Sequence, residues 1–154
     1  MDFLTFSSPV GDLALASEDG ITLSRLYLPS DPLPRIMPHE TPLLAEGRRQ
    51  ILEYLSGSRR QFDLPLAPKG TAFQRRVWSA LTAIPFGQTR SYKDIAMAVG
   101  CPGGFRAVGM ANHANPIPII IPCHRVIAAD GSLGGYGGGI ALKKALLALE
   151  GQYF

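Results

Sequence analysis

An α/β (α+β) fold in two lobes is predicted from three observations. The first third holds short apolar runs cut by turn residues; the second half holds helix-period apolar spacing behind two capping boxes; a proline-bearing stretch lies between. At 154 residues and 46% hydrophobic composition the chain can bury a core of ordinary size, as one domain or two packed lobes.

The elements follow in order. Phe3–Phe6, Leu13–Ala16 and Ile21–Leu28 are expected strands, separated by the turn signals Ser8-Pro9-Val10-Gly11 and Glu18-Asp19-Gly20. A proline-rich loop runs from Pro29 to Pro38. Thr41-Pro42 then opens a helix with Leu43, Leu44, Ile51, Leu52 and Leu55 apolar, and Gly57 closes it. Leu64 to Gly70, with Pro65 and Pro68, has the composition of a linker, so residues 1–66 are expected to form an N-terminal mixed or antiparallel sheet lobe with one helix. Residues 71–154 are expected to form a mainly helical lobe. Thr71 and Gln74 make its first capping box, ahead of Phe73, Val77, Trp78 and Leu81 at helical spacing. Ser91 and Asp94 make the second, ahead of a short helix stopped by Gly100. Phe105 to His113 reads as another short helix. The pair fits a helix-turn-helix, with an ordinary αα-corner as the commoner alternative. Leu142, Ala145, Leu146 and Leu149 make a last helix ending at Gly151.

Composition excludes several classes. No apolar run approaches the ~20 residues that span a bilayer, so no membrane partner is expected. Residues 1–16 lack the basic start of a secretory signal. Two cysteines, Cys101 and Cys123, are too few for a disulfide framework and lack zinc-type spacing with the histidines, so no metal is expected and a reducing cytoplasm is the simplest compartment. Charge is uneven: residues 1–70 carry a net −2 and residues 71–154 a net +5. A basic half suits a polyanion, although many basic faces merely solubilise.

The segment from Asn115 to Val126 carries the chemistry. Its apolar run between Pro118 and Pro122 reads as a buried strand or extended loop that delivers Cys123 directly before His124 and Arg125. Neighbouring cations or a base would lower the thiol pKa, which is ordinarily ~8.5, and make Cys123 a resting thiolate. An inert core thiol is the competing reading. In an extended chain adjacent side chains point apart, so His124 would reach the sulfur only through a water unless the chain turns there. The run Gly134–Gly139 follows no clear strand, and a mobile substrate loop fits it better than a phosphate cradle.

Pro122-Cys123-His124-Arg125-Val126 resembles the active-site signature of the O6-alkylguanine-DNA alkyltransferases, also called methylated-DNA–protein-cysteine methyltransferases. The likeness spans roughly residues 71–154 and stays in register at Phe86-Gly87, Ser91-Tyr92, Arg106-Ala107-Val108-Gly109, Asn115-Pro116, Gly135-Tyr136 and Leu149-Glu150-Gly151. The resemblance implies a C-terminal DNA-binding and alkyl-acceptor domain that takes an alkyl group from O6-alkylguanine in double-stranded DNA, once per molecule, as a monomer and without a cofactor. It implies that Cys123 accepts the alkyl group, that His124 deprotonates it through a water, and that Glu150 orients His124. Asn115 would brace the turn before the active site, and Tyr92 would give a proton to the departing guanine and turn the neighbouring phosphate. Arg106 would fill the gap left by the extruded base, on a helix whose Ala107, Ala111 and Asn112 would lie against the minor groove. The carbonyls of Cys123 and Val126 would read the guanine amino group, with Tyr136 and Gly137 lining the base.

Two features depart from the family pattern. Gly137 replaces a serine found in several members, and His113-Ala114 replaces basic or glycine residues. Three rivals are carried forward: a non-catalytic alkyltransferase-like lesion binder, which would usually lack the motif cysteine; a helix-turn-helix regulator with a sensing thiol; and a thiol hydrolase, which would need an oxyanion hole.

Overall fold

A computed structural model describes residues 1–152 of the chain, and the last two residues of the expected 71–154 range lie outside it. The chain divides into two compact units, Met1–Lys69 and Gly70–Phe154.

The first unit is a three-stranded antiparallel sheet, β1 (Asp2–Phe6), β2 (Leu13–Ser17) and β3 (Arg25–Tyr27), with helix α1 (Pro42–Leu55). Central β2 is buried along its whole length, so its alternation serves two faces. Ala14 and Ala16 pack with Phe3 and Tyr27 on one face. On the other, α1 approaches Leu15 and Leu23 so closely that a Cβ on Gly47 would lie 2.7 Å from Leu15 Cδ1. Thr41 caps α1 by accepting from Leu44 N–H, with Pro42 at the first turn.

Two expectations need correction here. The strand expected over Ile21–Leu28 begins only at Arg25. The Asp19 carboxylate accepts from Ile21 N–H, Thr22 N–H and Thr22 Oγ1 at 2.8 Å each, and this side-chain turn takes the backbone away from the ladder. The stretch expected as a linker is pinned instead, because Leu23 N–H donates to Pro65 O and Ala67 N–H to Leu23 O.

The second unit comprises α2 (Ala72–Thr82), β4 (Arg90–Ser91), α3 (Tyr92–Ala98), α4 (Phe105–His113), β5 (Val126–Ile127) and α5 (Ile140–Leu149). Both expected capping boxes are formed, at Thr71/Gln74 and at Ser91/Asp94. The α3–turn–α4 pair forms the expected helix-turn-helix. Trp78 Nε1 donates to Ala111 O at 2.8 Å and ties α2 to α4 through a buried bond. Strands β4 and β5 pair in parallel, Arg90 with Val126 and Ser91 with Ile127. That short ladder brings the start of α3, where Tyr92 sits, to the end of the Cys123 segment.

The segment before β5 is buried as expected, but it turns rather than extends. Ile120 N–H donates to Pro118 O at 2.8 Å, closing a three-residue turn on Ile119 with φ 73°. This is the strained form of the γ-turn, at a β-branched residue. Cys123 N–H donates to Ile121 O, closing a relaxed γ-turn on Pro122 (φ −80°, ψ 64°). Prolines cannot donate to a ladder, so Pro118 and Pro122 favour this path over a strand.

Candidate active site

Cys123, His124 and Arg125 form one turn of 3₁₀ helix, and all three are buried. The turn breaks the strict alternation of an extended chain, since successive side chains of a 3₁₀ helix step about 120° around its axis. Glu150, the C-cap residue of α5, supplies the partner. Its Oε2 is 2.9 Å from His124 Nε2 and also accepts from Arg125 Nη2 at 2.9 Å, while Oε1 accepts from Arg125 Nε at 2.8 Å. The guanidinium fork neutralises a carboxylate that a helix C-terminus would otherwise disfavour. Arg125 Nη1 donates to Ile84 O at 2.7 Å, and the guanidinium lies over the Phe86 ring at 5.8 Å. The sequence marked Arg125 only as a nearby cation; it proves to be the clamp of the site.

Electrostatics follow from burial. His124 is held below the ordinary imidazole range, first by desolvation and against the pull of Glu150. The ring is therefore neutral near pH 7. With Nε2 donating to the carboxylate, Nδ1 is the basic nitrogen. Burial also pushes the Cys123 thiol up to about 11, although hydrogen bonding from Asn115 and Tyr136 and the charge of Lys143 pull the other way. The resting sulfur is thus a thiol. This overturns the expected resting thiolate, because the desolvation of a fully enclosed sulfur outweighs the cations and donors around it.

Lys143 escaped the sequence reading and counted there only as charge. It is fully buried on α5, its Nζ donating to Val126 O at 2.7 Å, to Leu133 O and to Gly135 O at 3.3 Å. Burial lowers its ammonium to about 8, opposed by the sulfur of Cys123. One signal was available: Lys143 stands four residues before buried Leu147 and seven before Glu150, on the inward face of α5.

The other expected residues divide into those near the thiol and those elsewhere. Asn115 braces the turns before Cys123: its Nδ2 donates to Ile121 O at 2.8 Å and its Oδ1 accepts from Ile117 N–H at 3.0 Å. Tyr92 lies between α4 and the glycine loop, where Cβ atoms on Gly109 and Gly134 would meet it at 3.9 and 2.9 Å. Its phenol is raised above the ordinary value by burial and then by Cys123. Tyr136 also reaches the sulfur, and Gly137 is exposed in the same loop. Arg106 and Ala107 are exposed on α4.

Ala111 and Asn112 are corrected. They are only 2% and 5% exposed and face inward, so they cannot lie against a partner on the exposed face. The Cys123 carbonyl accepts from Val126 N–H and from Asn112 Nδ2 at 3.3 Å, and Val126 O holds Lys143. Both carbonyls expected to read a base therefore also hold bonds within the chain, although a carbonyl oxygen holding one hydrogen bond is not closed to a second.

Among the described residues no group of three or more His, Cys, Asp or Glu side chains could hold a metal, and no helix is long and apolar enough to cross a membrane. Fold and site define a class: a helix-turn-helix unit enclosing one buried thiol beside an imidazole–carboxylate–guanidinium cluster. The family described as "6-O-methylguanine DNA methyltransferase, DNA binding domain" matches residues 72–152. The methylated-DNA–protein-cysteine methyltransferase of Methanosarcina barkeri is 46% identical over 93% of this chain and 92% of its own length. The constitutive enzyme of that name from Bacillus subtilis is 45% identical over 94% and 92%. The structure of Mycobacterium tuberculosis OGT in complex with DNA superposes with a TM-score of 0.91 at 45% identity, covering 99% of this chain and 95% of that one. The chain belongs to the 6-O-methylguanine DNA methyltransferase family.

Proposed function

We propose that the chain repairs DNA by moving an alkyl group from O6 of guanine onto Cys123, once per molecule. The observation that carries this reading is Cys123 enclosed beside the His124–Glu150 pair on a chain of this family. O6 of guanine lies inside the stacked duplex, so the nucleotide must be extruded to meet a buried sulfur. Arg106, exposed on α4, fills the gap, and the small face beside it (Ala107, Ala114) permits close approach to the minor groove.

In the transfer, sulfur attacks the alkyl carbon, an S–C bond forms and the C–O6 bond breaks. The electron pair passes to the guanine ring. The thiol proton goes through a water to His124 Nδ1, whose charge Glu150 offsets, and the guanine anion takes a proton from Tyr92. Tyr92 keeps its proton at rest because burial raises its pKa, which suits a donor to a strong base. Because the resting thiol is protonated, its proton must pass to the water and His124 as sulfur attacks, and sulfur ends neutral as a thioether while the displaced charge sits on guanine. Nothing in the site removes a thioether, so each chain reacts once. Two free thiols, Cys101 and Cys123, suit a reducing compartment, and the chain acts there as a monomer without a cofactor.

A non-catalytic lesion binder is disfavoured, since such a protein has no use for an enclosed thiol coupled to a base. The test is intact mass after mixing with duplex DNA carrying O6-methylguanine. A gain of one methylene unit on the Cys123 peptide, absent in Cys123→Ala, is expected. Tight binding without that gain would replace repair by lesion recognition.

A further inference from the structure

Helix α4 turns Val108, Ala111 and Asn112 towards the core and leaves Arg106, Ala107, Met110, His113 and the C-cap residue Ala114 exposed. At about 100° per residue, His113, Arg106, Met110, Ala114 and Ala107 follow one another around an arc of roughly 120°, with Met110 at its middle. Met110 is 75% exposed. Phe105, the other exposed large apolar residue of α4, lies about 140° away around the axis and off that arc. A single apolar side chain in water is ordinary on a protein surface, so the position of Met110 is what sets it apart.

On the repair reading above, this arc meets the minor groove while Arg106 fills the gap left by the extruded nucleotide. A helix about 10–12 Å across does not fit a groove about 6 Å wide, so only side chains near the middle of the arc enter it. Ala107 and Ala114 flank Met110 and let the helix backbone come close. What reaches the base pairs is then an unbranched, flexible thioether with little hydrogen-bonding capacity. Such a side chain does not read base edges; in the minor groove apolar residues act as wedges that part a base step. Arg106 stands one turn earlier, about 6 Å along the axis, against a base step of about 3.4 Å, so Met110 enters within two base steps of the gap.

We propose that Met110 is a wedge that loosens the base stack beside the lesion and so lowers the cost of extrusion before Arg106 fills the gap. The inference rests on the repair reading and adds a second side chain to base extrusion, one that acts by unstacking rather than by charge. Seating Met110 against base pairs also removes from water the apolar area that the free protein exposes.

The test measures single-turnover methyl transfer from O6-methylguanine in a duplex and in a single strand, at saturating protein, where affinity drops out. Met110 is exposed and faces away from the core, so replacing it leaves the fold intact. Met110→Ala should slow the duplex reaction about tenfold, the scale of one apolar side chain's burial lost. The single-strand reaction should change by about twofold at most, because no paired stack has to be parted there. Met110→Leu should keep most of the duplex rate. A mismatch placed beside the lesion should recover the loss in Met110→Ala, since the stack is then already weakened. An unchanged duplex rate in Met110→Ala, an equal loss on both substrates, or a loss confined to affinity would each overturn the inference. The last would leave Met110 a groove contact without a part in extrusion. Failure of the unaltered protein to take methyl from either substrate would instead refute the repair reading itself.

Discussion

At the scale of single residues, the site is governed by desolvation rather than by the number of cations near the sulfur. The sequence places Arg125 and His124 beside Cys123 and so favours a thiolate, but proximity along a chain says nothing of burial, which raises the thiol to about 11. The pH profile of alkylation by iodoacetamide, which reacts with the thiolate, tests this directly. The rate at Cys123 should climb about tenfold per unit from pH 7 to 10 without levelling, because the ionised fraction keeps growing until the pKa is reached. A plateau below pH 8 would restore the resting thiolate. Glu150 was legible as the partner of His124 only through family likeness; from its position alone it was a carboxylate at the wrong end of a helix. Glu150→Gln strands the buried Arg125 guanidinium, which should destabilise the fold by about 3–5 kcal/mol in denaturant unfolding. It also removes the charge that raises the His124 pKa. The low-pH limb of the transfer-rate profile should therefore move to lower pH. A limb that stays in place would uncouple Glu150 from the base.

At the scale of elements, helices were read well and connecting backbone was not. The capping boxes at Thr71 and Ser91 and the glycine stops at Gly57 and Gly100 are local devices, complete within a few residues, so composition reveals them. The turns through Ile119 and Pro122 depend instead on Asn115 holding both Ile117 and Ile121, which an apolar run does not display. Strand Ile21–Leu28 was overread for a similar reason, since the hydrogen bonds of one carboxylate, Asp19, outweigh the β-propensity of Ile21 and Thr22. The glycine loop shows how an element meets the site. Gly134 has φ 70°, and a Cβ there would stand 2.9 Å from Tyr92 Oη. Gly134→Ala therefore meets backbone strain of about 1 kcal/mol and displaces the phenol proposed as the donor to guanine. Transfer should slow by an order of magnitude or more, while Gly137→Ala, whose Cβ finds only His113 Cε1 at 3.9 Å, should change the rate little. Equal rates in both variants would remove Tyr92 from the reaction.

At the scale of the molecule, the charge asymmetry read from the sequence survives but changes composition. Arg125 and Lys143 are buried in the site at 7% and 0% exposure, so the surface excess of the second unit rests on Arg75, Arg76, Lys93, Arg106 and Lys144, with half-buried Arg90. Two of the charges counted towards a polyanion are structural instead. Stability of the second unit is tied to the chemistry through packing. Cys123 is 5% exposed, and its neighbours are fixed by the γ-turns before it, by Asn112 on its carbonyl and by Lys143 behind the loop. Methylation converts a neutral thiol to a neutral thioether, so no charge is gained; what is gained is a methyl group in a close-packed space. Adding a carbon to a filled core costs about 1–3 kcal/mol. A loss of even 1 kcal/mol in a unit of this size lowers Tm by roughly 4–8 °C. Thermal unfolding before and after stoichiometric reaction should show a drop of at least that size, with the first unit's own transition, if resolved, unmoved. The methylated chain would then be both chemically spent and less stable than the protein that met the lesion. An unchanged Tm would mean that the sulfur faces space already shaped for the methyl group, and the closed packing around Cys123 would have to be redrawn.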